Sequence, residues 1–157
     1  MTQAAQIGPP AGAVGELDVF AGGWHVQGTA YSEDEAAEDP LSSAVPWASE
    51  ETYAWMPGGR FLLHHWNARV GRQPYHGTEI IGHDDETGFF AHVFDDRGRH
   101  RRYRVERHGP IWTFCEPETR ATIAVSPGGA RLDIAWQWRH DGAEWLPLCD
   151  RVALRTG

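Results

Sequence analysis

The chain has 157 residues, close to the commonest length of a single domain with one hydrophobic core. It carries 22 Asp and Glu against 14 Lys and Arg, so its net charge of -8 disfavours nucleic acid as a partner. No segment reaches the roughly 18 apolar residues that a membrane span needs, and the first residues lack a signal-peptide pattern, so we predict a cytoplasmic protein without membrane contact.

The beginning of the chain differs in composition from the rest. Residues 1–15 are rich in Ala, Gly and Pro and have no hydrophobic period, which predicts a flexible leader before one domain over residues 16–157. The segment LDVFAG, from Leu17 to Gly22, predicts one short helical turn. Beyond it, most segments alternate or are rich in β-branched and aromatic residues, with Gly, Asp or Pro between them. This rhythm indicates an all-β domain.

The remaining segments predict about ten strands joined by tight turns. The predicted strands span residues 24–31, 47–55, 60–70, 75–83, 88–95, 100–107, 111–117, 120–126, 130–140 and 144–155. A meander of antiparallel strands closes most simply into an up-and-down barrel, because closure removes the exposed strand edges. A barrel of this size is wide enough to keep a cavity for a small molecule.

An acidic stretch, SEDEAAEDPLSS, interrupts this rhythm at residues 32–43. Its charge and its lack of apolar residues predict a solvated loop at one mouth of the barrel. We favour a solubilising insertion over a gating lid, and its spacing does not match a calcium-binding loop.

Three segments between Leu17 and Asp95 resemble, in order, a bacterial family of lipocalin-like domains of unknown function. LDVFAGGWHVQG resembles the family's G-x-W opening, EETYAWMPGGRFL its second and third strands, and YHGTEIIGHDDETGFF its next hairpin. The segment CDRVALR extends the resemblance to the closing strand. The resemblance implies a calycin-type antiparallel barrel with a central cavity and no common reaction.

Barrels of this general shape offer two functional precedents. Some act in biosynthesis as cyclases or isomerases on apolar intermediates. Nitrobindin-like barrels, which share the G-x-W opening, bind haem through a histidine near the C-terminus. The predicted closing strand, residues 144–155, contains no histidine, which disfavours the haem alternative.

The adjacent histidines in FLLHHWNARV must point to opposite faces of the third strand. We predict that His64 and Trp66 face inward and that His65 faces outward. An inward histidine is more often a hydrogen-bonded core residue than a catalyst. It is also the side chain best suited to proton transfer near neutral pH, so we predict that His64 acts as a general acid or base.

Two further polar residues lie on one face of the second strand. By the family resemblance, the position of Glu51 is usually acidic, which makes it a candidate partner for His64. A structural ion pair with Arg60 or Arg151 that closes the barrel is the favoured alternative. Tyr53 is predicted to donate a hydrogen bond to a developing oxyanion.

Glu79, on the fourth strand, is the remaining candidate catalytic residue. If it faces inward, it lies across from His64, where burial and mutual charge would shift the pKa values of both groups. The alternative is a surface salt bridge with Arg69 or Arg102.

The chain contains eight tryptophans, an unusual number that predicts an aromatic pocket. The hypothesis that the tryptophans fill the barrel core and the hypothesis that they form a cavity wall are equally supported by the sequence. The predicted ligand-binding residues are Trp24, Trp55, Trp66, Trp112, Trp136 and Trp138.

We predict no metal and no cofactor. The nine histidines form no H-x-x-x-H or H-x-H pair within one strand, and Cys115 and Cys149 lack C-x-x-C spacing, so both are predicted to be reduced thiols. An outward strip of Phe61 and Leu63 offers a surface for a homodimer.

The sequence therefore predicts a barrel that binds an apolar or aromatic small molecule, with cofactor-independent cyclase, isomerase or dehydratase chemistry as its enzymatic form. The alternatives are a non-catalytic carrier or sensor and a haem-binding or metal-binding barrel.

Overall fold

A computed structural model describes residues 10–31 and 43–157. Residues 1–9 of the predicted leader and residues 32–42 of the predicted acidic loop lie outside this range. The described part consists of one short 3-10 helix followed by ten strands. The prediction of an all-β domain with an N-terminal helical turn is therefore confirmed.

The helix spans Ala13–Phe20, so it begins within the predicted leader and ends two residues before Gly22. The strands are β1 (Gly22–Ala30), β2 (Val45–Trp55), β3 (Phe61–Val70), β4 (Gln73–Asp84), β5 (Gly88–Asp95), β6 (His100–His108), β7 (Ile111–Cys115), β8 (Thr119–Val125), β9 (Arg131–Trp138) and β10 (Leu146–Thr156).

The ten strands form a closed up-and-down barrel. Each strand pairs antiparallel with the next one in the chain, and β1 also pairs with β10, which closes the sheet. Trp24 of β1, for example, lies opposite Glu51 of β2 on one side and Arg155 of β10 on the other. The predicted barrel topology is confirmed, and its physical reason is that closure pairs every strand on both edges.

Alternation along the strands separates the interior from the surface. In β2 the buried residues are Trp47, Ser49, Glu51 and Tyr53, and the residues between them are exposed. The β2–β3 turn uses Gly58 and Gly59 at positive φ, the left-handed conformation that glycine adopts at low cost. Local patterning and turn chemistry therefore agree with the closed topology.

The N-terminal helix closes one end of the barrel. Leu17 and Phe20 are completely buried, and the Phe20 ring lies 5.2 Å from the Trp112 ring in an edge contact. Trp24 Nε1 donates to the Phe20 carbonyl oxygen at 2.8 Å, and Trp55 Nε1 donates to the Asp18 carboxylate at 2.8 Å. These contacts fill this end with packed aromatic side chains and leave any open space to the opposite end.

Across residues 10–31 and 43–157, no helix has the length and apolar character needed to cross a membrane.

The pairing of β1 with β10, which we call the seam, leaves no room for an added methyl group at Gly28, so we predict that such a group destabilises the barrel. A Cβ at Gly28 would overlap the Asp150 carbonyl oxygen, which is backbone and cannot rotate away. We expect Gly28→Ala to lower the free energy of unfolding by on the order of 2 kcal/mol, measured by urea denaturation.

Gly23→Ala, in the same strand, is the matched control. Its Cβ would meet only the Thr156 hydroxyl, which a side-chain rotation can remove, so we expect a loss below about 1 kcal/mol. Equal losses in the two variants would contradict the close backbone approach at the seam.

Candidate functional site

A cavity of about 400 Å³ occupies the end of the barrel opposite the N-terminal helix. It reaches the surface at the exposed residues Arg97, Glu118 and His140, which we call the mouth. Its walls are largely aromatic. The aromatic lining residues are Tyr31, Trp47, Trp66, Tyr75, Tyr103, Trp136 and Trp138.

Strand register brings three polar or aromatic side chains into one row below the cavity. His64 of β3 lies directly opposite Tyr53 of β2 and directly opposite Glu79 of β4. The structure places His64 and Trp66 inside the barrel and His65 outside, where His65 Nδ1 lies 2.9 Å from Thr78 Oγ1. This is the division that strand alternation predicts for the two histidines.

The imidazole of His64 is held between two buried carboxylates. His64 Nε2 lies 2.6 Å from Glu51 Oε1, and His64 Nδ1 lies 2.9 Å from Glu79 Oε1. An ionised carboxylate only accepts hydrogen bonds, so a ring that meets one at each nitrogen must carry both protons. Burial by itself lowers the pKa of His64, but the hydrogen bonds and charges of Glu51 and Glu79 outweigh it and raise this pKa to about 9.

Both carboxylate oxygens of Glu51 have hydrogen-bond or ion-pair partners. Its Oε2 accepts a hydrogen bond from Ser49 Oγ at 2.6 Å and contacts Arg151 Nη1 at 3.4 Å, while Trp47 Nε1 donates to Ser49 Oγ at 2.9 Å. Burial opposes ionisation, but the hydrogen bond and charge of His64, followed by Arg151 and Ser49, lower the pKa of Glu51 to about 2. Of the two arginines considered from the sequence, Arg151 is the one that pairs with Glu51.

Tyr53 lies beneath the His64 ring rather than in the cavity wall. The two rings stack with centroids 3.8 Å apart and an interplanar angle of 6°, and Phe20 of the helix lies 5.7 Å from the other side of Tyr53. Burial, with the charges of Glu79 and Glu51, raises the pKa of Tyr53 well above its usual value, so the hydroxyl stays protonated. Tyr53 is not among the residues that line the cavity, because its ring is enclosed between His64 and Phe20, and its role as a donor to a substrate oxyanion stays a prediction.

Glu79 presents a carboxylate to the floor of the cavity. Its Oε1 contacts His64, and no hydrogen bond to its Oε2 is found within residues 10–31 and 43–157. The buried polar atoms without a partner in those ranges are three donors on residues that also line the cavity, namely Trp66 Nε1, Trp138 Nε1 and Arg151 Nε. The side chain lines the cavity although its residue is only 5% exposed. Both nitrogens of His64 are occupied, so the group able to exchange a proton with a bound molecule is Glu79, and His64 positions it.

The predicted tryptophans divide into two groups. Trp66, Trp136 and Trp138 line the cavity. Trp24, Trp55 and Trp112 do not line it, because they contact the N-terminal helix at the closed end of the barrel. Strand alternation alone cannot separate the two groups, since both face inward.

Sequence reasoning missed several lining residues. Trp47 lies on the same face of β2 as Glu51, so its spacing could have identified it. Tyr75 and Tyr103 also line the wall, and Tyr75 donates to the Asp95 carboxylate at 3.0 Å. No local signal distinguished these tyrosines from ordinary core residues.

No metal-binding cluster is found in the described part of the chain. Residues 10–31 and 43–157 contain no group of three or more His, Cys, Asp or Glu side chains placed to hold an ion. Both nitrogens of His64 already contact carboxylates, so this ring is not disposed to ligate a metal or haem iron.

Comparison with known proteins adds evidence on the fold only. No family model and no curated protein match the chain. Among solved structures, the chain is similar to "Crystal Structure of Rv2717c from M. tuberculosis", with a TM-score of 0.68 and 15% sequence identity over 94% of this chain and 99% of that chain. The similarity supports a barrel fold, whereas the resemblance to the lipocalin-like family stays a prediction.

The paired charges predict how stability depends on pH. The pKa of His64 rises from 6.5 to about 9 on folding. Its contribution to the free energy of unfolding is therefore complete below pH 6.5 and is lost as the pH rises through 9. The pKa of Glu51 falls from 4.5 to about 2, so its contribution is complete above pH 4.5 and is lost as the pH falls through 2. Both contributions are therefore complete between pH 4.5 and 6.5.

We expect the free energy of unfolding to fall between pH 6.5 and 9 by on the order of 3 kcal/mol more in the wild type than in His64→Gln. Urea denaturation at each pH measures this difference. His65→Gln, on the exposed neighbour, should keep the wild-type pH dependence. A parallel decline in wild type and His64→Gln would show that the buried ring is not charged.

Proposed function

We propose that the barrel binds an apolar or aromatic small molecule in the cavity above His64. The observation that carries this proposal is a space of about 400 Å³ with aromatic walls and one carboxylate, on Glu79, whose Oε2 has no hydrogen bond within residues 10–31 and 43–157. Ligand sites typically combine apolar walls with a few fixed polar groups. Trp66, Trp136 and Trp138 supply surfaces on which a flat molecule can stack.

The floor of the cavity supports recognition of a proton-donating group on that molecule. Glu79 Oε2 is an acceptor, and Glu79 Oε1 is anchored to His64 at 2.9 Å. A hydroxyl, an N–H or an acidic C–H of the ligand would satisfy the free oxygen. The rigid support by His64, which Glu51 and Tyr53 hold in turn, limits the loss of side-chain entropy on binding.

Proton transfer is the second candidate function, and the free oxygen of Glu79 favours it. We infer that Glu79 removes a proton from the ligand and returns it elsewhere, as a cofactor-independent isomerase or cyclase requires. The imidazolium of His64 stabilises the carboxylate between the two transfers. Here His64 is a positioning residue, because both of its ring nitrogens contact carboxylates and neither is left to touch the ligand.

Binding is tested with phenylnaphthylamine, a neutral aromatic probe whose fluorescence rises in an apolar site. We expect saturable binding to the wild type. Val93→Trp should weaken it by at least about tenfold, because Val93 lines the cavity and the new indole would fill the space.

Thr122→Trp adds the same side chain on the exposed face of β8 and serves as the control. Circular dichroism verifies that both variants fold. If Val93→Trp binds the probe as well as wild type and Thr122→Trp, the probe does not enter the cavity and the proposed binding site is wrong.

The base is tested with nitrobenzisoxazole, an aromatic substrate that opens when a base removes its ring C–H proton. Glu79 would take that proton, the freed electron pair would form the nitrile, and the N–O bond would break to release a phenolate. We expect wild type to accelerate this opening and Glu79→Gln to reduce the rate by about 100-fold.

Glu118→Gln removes an exposed carboxylate at the mouth and should retain the wild-type rate. Saturable probe binding together with equal rates in Glu79→Gln and wild type would leave a carrier or sensor and contradict the proton-transfer function.

A further inference from the structure

We propose that the ligand carries an anionic group, such as a carboxylate or a phosphate, which Arg97 and Arg139 bind at the mouth of the cavity. This inference rests on the proposed binding of an aromatic molecule in the same cavity and adds its chemical class and its orientation. The chain as a whole has a net charge of -8, so two cavity-lining arginines without a carboxylate partner among the described residues depart from its average surface.

Arg97 is presented by a fixed turn between β5 and β6. Asp95 Oδ1 accepts hydrogen bonds from the backbone N–H groups of Arg97 and Arg99, both at 3.0 Å, which holds the turn. The Arg97 guanidinium carbon lies 4.7 Å from the centroid of the Tyr75 ring. Over the described ranges, no carboxylate pairs with this guanidinium, so its N–H donors are available at the mouth.

Arg139 is held in a similar way after the end of β9. Its Nε donates to the Pro117 carbonyl oxygen at 2.9 Å, and its guanidinium carbon lies 4.4 Å from the centroid of the Trp145 ring. Within the described residues, its two terminal nitrogens contact no acceptor. A stacked guanidinium keeps its remaining donors in one plane, the arrangement that suits a carboxylate or phosphate.

Two further arginines that line this end of the cavity are paired with carboxylates. Arg99 Nε contacts Asp95 at 2.9 Å, and Arg101 contacts Glu116 at 3.0 Å. The exposed Glu118 also lines the mouth. Among the described residues that line this end of the cavity, Arg97 and Arg139 carry two positive charges and Glu118 offsets one of them.

The floor of the cavity disfavours an anion. The negative charges of Glu51 and Glu79 are offset by His64 and Arg151, so the floor is neutral as a unit. An anion against the free oxygen of Glu79 would meet a like charge at close range. The anionic end of a ligand is therefore directed to the mouth, and its uncharged end to Glu79.

The spacing of floor and mouth indicates the size of the ligand. Val93 is the strand partner of Glu79, and Asp95 lies two residues further along β5, about 7 Å toward the mouth. Arg97 follows in the turn. A molecule of two aromatic rings with one acidic substituent spans this distance.

Two probes that differ only in charge test the inference. Anilinonaphthalene sulfonate is phenylnaphthylamine with an added sulfonate, so the ratio of their dissociation constants isolates the anion. We expect wild type to bind the sulfonate probe at least about tenfold more tightly at low salt, and added salt to reduce this preference. The double variant Arg97→Gln and Arg139→Gln should abolish the preference without weakening the neutral probe.

Arg104→Gln removes an exposed arginine from the outer face of β6 and should retain the preference. Equal affinity of wild type for both probes, or a preference that survives the double variant, would overturn the anionic class while leaving the aromatic cavity intact. Failure of Val93→Trp to block either probe would instead overturn the proposed function itself.

Competition separates the two sources of negative charge. Naphthalene carboxylate and naphthyl phosphate are each used to displace the sulfonate probe. The tighter competitor identifies the acidic group, and displacement by either one that weakens in the double variant supports the inference. If neutral naphthalene displaces the probe as effectively as both acids, the arginines do not recognise an anion.

Discussion

The protonated His64 between Glu51 and Glu79 is the interaction on which the interior depends. It joins three neighbouring strands through two short ion pairs, and Arg151 brings the charge of the group to zero. Buried charges are tolerated only when their partners and hydrogen bonds are complete, and removal of one partner typically costs about 3–5 kcal/mol. Loss of any one member of this network is therefore expected to destabilise the barrel.

The same network separates a packed half of the barrel from a half that contains the cavity. Below His64, Tyr53 and Phe20 stack in sequence and join the helix to the core, so this half contributes stability. Above it, the cavity is open to the mouth, and Glu79 is the carboxylate of the network whose Oε2 has no hydrogen bond within the described residues. Because both ring nitrogens of His64 contact carboxylates, the group that would exchange a proton with a ligand is Glu79 rather than His64.

The charges along the barrel axis are arranged so that they would orient the proposed ligand. The floor is neutral as a unit, the walls are aromatic, and Arg97 and Arg139 are stacked on rings at the open end. An elongated molecule with one acidic end would meet complementary groups in only one direction. Orientation by charge and affinity by stacking would then act on the same ligand, which is why a pair of probes that differ in charge can separate them.

The sequence by itself determined the fold class, because turn residues at short intervals and alternating strands are local signals, and closure of ten antiparallel strands follows from them. Alternation also separated His64 from His65. Only the tertiary structure decided that Arg151 meets Glu51 across 100 positions of the chain, and that Trp24 fills the closed end while Trp136 lines the cavity. Inward residues share one local pattern at every height in the barrel. Their height, and so their partners, depends on register and closure, which no single segment encodes.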